Sequence, residues 1–138
     1  MTDIEFRVKH SELIEYYQLM EMRLKTACAG LLADKEKDWF ARLSDYESDP
    51  FGVLIKKIKE IQQSKHLSLL SEDEFIKLGE LREKRNYWAH QCFGGQYPIV
   101  FQKGNVKDPK YATKIIDDLD DAIKWDERLT EVVNVVLK

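Results

Sequence analysis

Three features of the sequence predict an all-α fold. Apolar residues recur at alternating steps of three and four over most of the chain, which is the spacing of one face of a helix. Only six glycines and three prolines interrupt 138 residues. Hydrophobic residues make up 43% and charged residues 34%, a balance that suits helices and opposes both disorder and a many-turned β architecture. The length is that of one domain with one enclosed core. The expected architecture is therefore a single domain over residues 1–138, an up-and-down bundle of four to five helices with a short irregular or hairpin-like insert before the last.

The first helix is carried by Leu13, Tyr17, Met20, Leu24, Ala27 and Leu31, and His10-Ser11-Glu12 supplies its polar start. Beyond Gly30 to Asp34, residues 35–43 read as a short helix or an ordered loop with Trp39, Phe40 and Leu43 on one side. Ser44 to Pro50 is a break, because proline disfavours a helical conformation in the residue before it. A helix resumes from Phe51 to about Gln63, with Phe51, Leu54, Ile55, Ile58 and Ile61 facing inward. Ser71-Glu72-Asp73-Glu74 opens the next helix, a serine cap followed by acids where the helix dipole favours them. That helix extends to about Phe93. Its stripe reads Phe75, Leu78, Leu81, Arg85, Trp88 or Ala89, and Cys92, so an arginine stands where an apolar residue is expected. Gly94-Gly95 ends it, and Tyr97 to Phe101 with Lys103-Gly104-Asn105 forms either a short extended segment or a small hairpin. Pro109 suits the first turn of the last helix, whose stripe is Ile115, Leu119, Ala122, Asp126, Leu129, Val133 and Val136.

The charge balance narrows the function classes. With 22 basic and 25 acidic side chains the net charge is −3, so the whole-molecule field does not draw in a polyanion, and any nucleic-acid site must be a local patch. Cys28 and Cys92 form no CxxC pair and no Cys/His cluster, which excludes a zinc site or disulfide framework and leaves reduced, partly buried thiols. Asp117-Asp118 and Asp120-Asp121 read as a solvated acidic face, His10 and His66 as surface residues, and neither a metal nor a cofactor is expected. No signal-peptide pattern and no run of 18 apolar residues is present, so a cytoplasmic location without membrane contact is expected.

The segment that carries chemistry is Leu81 to His90. Arg82, Asn86 and His90 are spaced i, i+4, i+8 and form one column of an α-helix, so the Asn86 amide is expected to reach the His90 ring and fix its orientation. Arg85 points ~140° away from His90 by the same arithmetic, with Asp126 as a candidate ion-pair partner on the last helix. Arg85-Asn86-Tyr87-Trp88-Ala89-His90 resembles the signature of HEPN domains, an Arg followed at once by a polar residue and then a His after four to six intervening positions. The placement late in a core helix of a small bundle is similar too. One HEPN variant, a toxin regulated by nucleotidylation, carries a tyrosine two positions after the histidine. Cys92 stands there in this chain, so the resemblance does not extend to that control.

The resemblance implies metal-independent cleavage of RNA by a homodimer in which both copies of the motif line one cleft. His90 would transfer protons, Arg85 would stabilise the phosphorane charge, and Asn86 would hold the imidazole or bind phosphate. Arg82 and Lys84 would add local positive charge for RNA binding. A toxin of this kind would have a cognate antitoxin protein as a further partner. Two other classes remain open at this point: a non-catalytic module of the same family that binds a nucleotide, RNA or a partner protein, and a plain helical dimerisation domain. The segment from Gly94 to Asn105, directly after the motif, is a candidate lid over the cleft.

Overall fold

A computed structural model of the chain describes residues 1–95 and 98–138. The fold is an all-α bundle: α1 (Asp3–Leu31), a short α2 (Trp39–Arg42) running into a 3-10 turn (Leu43–Tyr46), α3 (Phe51–Ser64), α4 (Glu72–Asn86) and α5 (Pro109–Val136). A two-stranded hairpin, β1 (Phe101–Gln102) and β2 (Asn105–Val106), precedes α5. Its central residues Lys103 and Gly104 both have positive φ, 53° and 76°, as a tight hairpin turn matched to strand twist requires. Tyr97, the first residue of the expected extended segment, lies outside the described residues.

The helices start where polar caps meet apolar stripes. Ser71 accepts from the Glu74 amide while Glu74 reaches back to the Ser71 amide, the reciprocal arrangement that satisfies two otherwise unpaired donors. Thr2 and Glu5 make the same box at α1, so this helix begins eight residues before Ser11, the start expected from its apolar stripe. The extra turns are stabilised by Phe6, fully buried against Trp88 and Phe101. Asp38 caps α2, and Asp108 caps α5 with Pro109 in its first turn.

Contacts at the helix ends fix the directions. Thr2 bridges Asn105 at the N-terminal end of α1, close to where α5 begins. At the other end a Cβ on Gly30 would stand only 2.5 Å from Val136 Cγ1, so α1 and α5 run side by side in the same direction over their full lengths. Helix α4 runs against both, since Glu74 meets Arg128 and Trp88 meets Asp118 and His10. Helix α3 is antiparallel to α4, with Gly52 beside Arg82 and Lys59 beside Glu72.

The core is one cluster in which Leu13, Tyr17, Met20, Leu24, Leu54, Ile58, Leu78, Leu81, Trp88 and Ile115 are buried. Each large side chain removed from water there contributes ~1.5–3 kcal/mol before entropy is counted. Several expected positions shift. Phe40 is 71% exposed while Trp39 and Leu43 pack inward, because a single turn of helix cannot bury all three. Tyr46, read as part of a break, is buried by the 3-10 turn. On α5 Val132 is buried and Val133 only half-buried, and Ala89 on α4 is exposed where Trp88 is buried. No helix is long and apolar enough to cross a membrane among the described residues.

Candidate functional site

The motif straddles a change of helix type. Regular α-helix ends at Asn86, and Tyr87–Gln91 form a π-turn in which the Cys92 amide donates to the Tyr87 carbonyl at 3.0 Å instead of to Trp88. Such a turn holds one extra residue, so side chains five apart take the relation that four apart have in an α-helix. The extra residue lies between Tyr87 and Cys92, so His90 is turned off the Arg82–Asn86 column.

The widened turn frees the Trp88 carbonyl from its ordinary partner. His10 of α1 takes that place, with Nε2 2.7 Å from the carbonyl oxygen, and because a carbonyl only accepts, the ring proton sits on Nε2. The Cys92 thiol donates to the same oxygen at 3.2 Å. His10 is therefore half-buried and convergent with the motif helix, not the surface residue expected from its isolation in the sequence. The Trp88 indole, fully buried, donates to Asp118 Oδ2 at 2.8 Å, which locks the turn to α5 from the other side.

Arg85 faces α1. Its Nη2 lies 2.9 Å from Glu21 Oε1 and its Nη1 donates to Asn86 Oδ1 at 3.2 Å, leaving the side chain 29% exposed. The expected partner Asp126 instead meets Arg23 at 3.5 Å, because Glu21 and Arg23 stand two positions apart on α1 and point to different sides of it, one toward α4 and the other toward α5. Asn86 spends its oxygen on Arg85, and no hydrogen bond joins it to His90 among the described residues. His90 itself is exposed.

Arg82 and Lys84 part company. Lys84 turns toward α5, 3.3 Å from both Asp118 and Asp121. Burial pushes its ammonium down, but the two carboxylates outweigh that and its pKa is raised overall. It neutralises the acidic face and does not line the groove beside Arg82. Asp118 is buried, so that face is only partly the solvated one expected. Arg82 is exposed and lies along the first turn of α3, where its Nε is 2.6 Å from the position a Cβ on Gly52 would take. Together Gly52, Val53, Lys56, Arg82, Arg85 and Asn86 line a cleft of about 280 Å³.

Other titratable groups support the frame. Burial pushes the Tyr87 hydroxyl up to about 12 and the Cys28 thiol up to about 12, and it raises Cys92 as well. Both cysteines are free and fully buried, deeper than expected, so neither is poised as a nucleophile. No group of three or more His, Cys, Asp or Glu side chains is arranged to hold a metal among the described residues. The hairpin docks on the start of α1, with the Val106 amide donating to the Met1 carbonyl and the Asp3 amide to that of Gly104. None of its residues lines the Arg82–Arg85 cleft. Glu21, Gly52 and Lys56 carry no signal in the sequence, and His10 reads there only as a surface residue at a helix start. Glu21, His10 and Gly52 act through contacts between helices far apart in the chain, and Lys56 is brought to the cleft by the packing of α3 beside α4.

Comparison of the chain with protein-family models, with curated proteins and with solved structures finds no match in any of the three.

Proposed function

We propose that this chain is an endoribonuclease of the HEPN type, acting without a metal as a two-fold dimer whose two motif copies share one cleft. The observation that carries the reading is the setting of His90, an exposed imidazole on a π-turn directly after the turn where Glu21 and Asn86 hold the Arg85 guanidinium. Widened turns of this kind concentrate at functional sites. One imidazole takes the proton of the ribose 2′-hydroxyl as its oxygen attacks phosphorus. The bond to the 5′-oxygen breaks, and the imidazole of the second subunit returns a proton to that leaving oxygen. Arg85 balances the charge on the phosphorane, and Glu21 keeps its guanidinium aimed. A cognate antitoxin would act by covering the exposed His90 surface.

Structured RNA incubated with the purified protein should yield fragments with 2′,3′-cyclic phosphate ends, and DNA of the same sequence should stay intact. His90→Ala should slow cleavage by ~10²–10⁴ with unchanged far-UV circular dichroism. Wild-type cleavage rates in that variant would refute the assignment. A second reading, a non-catalytic module of the same family that binds RNA, a nucleotide or a partner protein, is favoured by one observation: the Arg85 guanidinium already has its carboxylate in Glu21. Saturable RNA binding with no cleavage is the outcome it predicts.

A further inference from the structure

The cleft between α3 and α4 is electrostatically unfinished. All the charged side chains that line it, Lys56, Arg82 and Arg85, are cations. Arg85 has Glu21, but Lys56 and Arg82 have no carboxylate partner among the described residues. Their floor is the start of α3, whose N-cap is Pro50 and which has no side-chain cap. The amides of Gly52 and Val53, two residues that line the cleft, thus have no acceptor among the described residues, at the positive end of a 14-residue helix. Arg82 lies against this first turn, in the space that any Cβ at position 52 would occupy. A guanidinium on a positive helix end is repulsive by itself. An anion between them turns each of those repulsions into an attraction.

We infer that this cleft is a phosphate subsite, which seats a backbone phosphodiester of single-stranded RNA on Lys56, Arg82 and the Gly52 and Val53 amides. A phosphodiester suits the cleft because Lys56, Arg82 and the Gly52 and Val53 amides are all donors, and its two anionic oxygens accept from cations and main-chain amides alike. Arg85 and Asn86 of the motif line the same cleft, directly before the π-turn that carries His90, so a seated phosphate lies beside the motif. The identity of the ligand as RNA rests on the ribonuclease reading; the anion site does not.

The probe is a 2′-O-methyl hexaribonucleotide, which binds but lacks the attacking hydroxyl, with inorganic phosphate as a second ligand. In amide-resolved NMR titrations the Gly52 and Val53 resonances should move saturably with both. Lys56→Gln and Arg82→Gln should each weaken the oligonucleotide about tenfold and reduce the slope of log K against log salt by about 0.7. Gly52→Ala should weaken it similarly with every charge kept, because the new methyl displaces Arg82. Lys65→Gln, the same charge change at the far end of α3, should leave affinity unchanged. All four positions are exposed or half-buried, and thermal melts verify that the variants fold. Static Gly52 and Val53 resonances, or wild-type affinity in Arg82→Gln, would overturn the inference. If the wild type cleaves no RNA but these shifts and losses persist, the ribonuclease reading falls and the subsite stands. If cleavage depends on His90 while KM is unmoved in Lys56→Gln and Arg82→Gln, the subsite falls and the ribonuclease reading stands.

Discussion

Replacing Asp118 with alanine tests whether the buried carboxylate is what ties the motif turn to α5. Asp118 is 6% exposed, accepts the indole proton of fully buried Trp88 at 2.8 Å, and faces Lys84 at 3.3 Å and Lys114 at 3.7 Å. Deleting it strands the Trp88 N–H away from water, and losing a hydrogen bond to a charged acceptor costs about 1.5–3 kcal/mol. The two lysines add little, because they are 30% and 42% exposed and Lys84 keeps Asp121. The expected loss is about 2–3 kcal/mol, which for a domain of this size lowers Tm by roughly 6–10 °C. Asp118→Asn keeps an acceptor oxygen and should lose only about 1 kcal/mol. Urea unfolding followed by circular dichroism gives the stabilities, and a cycle with Trp88→Phe isolates the pair, with a coupling of about 1–2 kcal/mol expected. Asp118→Ala within about 0.5 kcal/mol of wild type, or an additive cycle, would show that the indole contact does not hold the turn.

His10→Ala removes the donor to the Trp88 carbonyl and should cost about 1–2 kcal/mol, with faster hydrogen exchange at Ala89 to Phe93 and partial recovery in His10→Gln; exchange at wild-type rates would remove His10 from the support of the π-turn. The Arg128 hydrogen bond holds the Glu74 carboxyl below its ordinary 4.5, so the folded state binds protons less readily than the unfolded one there. Stability from this pair is therefore complete above pH 4.5 and is lost as pH falls below it. Unfolding measured from about pH 6 to about pH 3 should show the gap between wild type and Arg128→Gln narrowing. It should not close, since Arg128 also donates to the Leu69 carbonyl at 2.8 Å. A gap that stays constant with pH would contradict the assignment.

The elements of this protein were legible because they are local. Ser71 to Glu74, Pro109 and the three-four apolar stripes act within one or two helical turns, and those interactions are written in consecutive residues. The same locality made Thr2 to Glu5 readable as a capping box, although the apolar stripe drew attention to Ser11. The segment bearing Arg85, Asn86 and His90 was found in the same way, from an arginine in an apolar stripe.

The relations among those residues belong to the tertiary structure. A single sequence assigns ~100° to every helical step, so it placed His90 over Asn86. The π-turn has partners from distant helices: His10, with Cys92, satisfies the carbonyl it frees, and Asp118 receives the Trp88 indole. Which carboxylate meets Arg85, whether Lys84 faces the Arg82 cleft or an acidic helix, and that Gly52 leaves room for Arg82 are likewise settled by helix direction and register. Hydrogen bonds and ion pairs reach only a few ångströms, so the sequence sets which groups are on offer, and the packing of helices distant in the chain sets which of them meet.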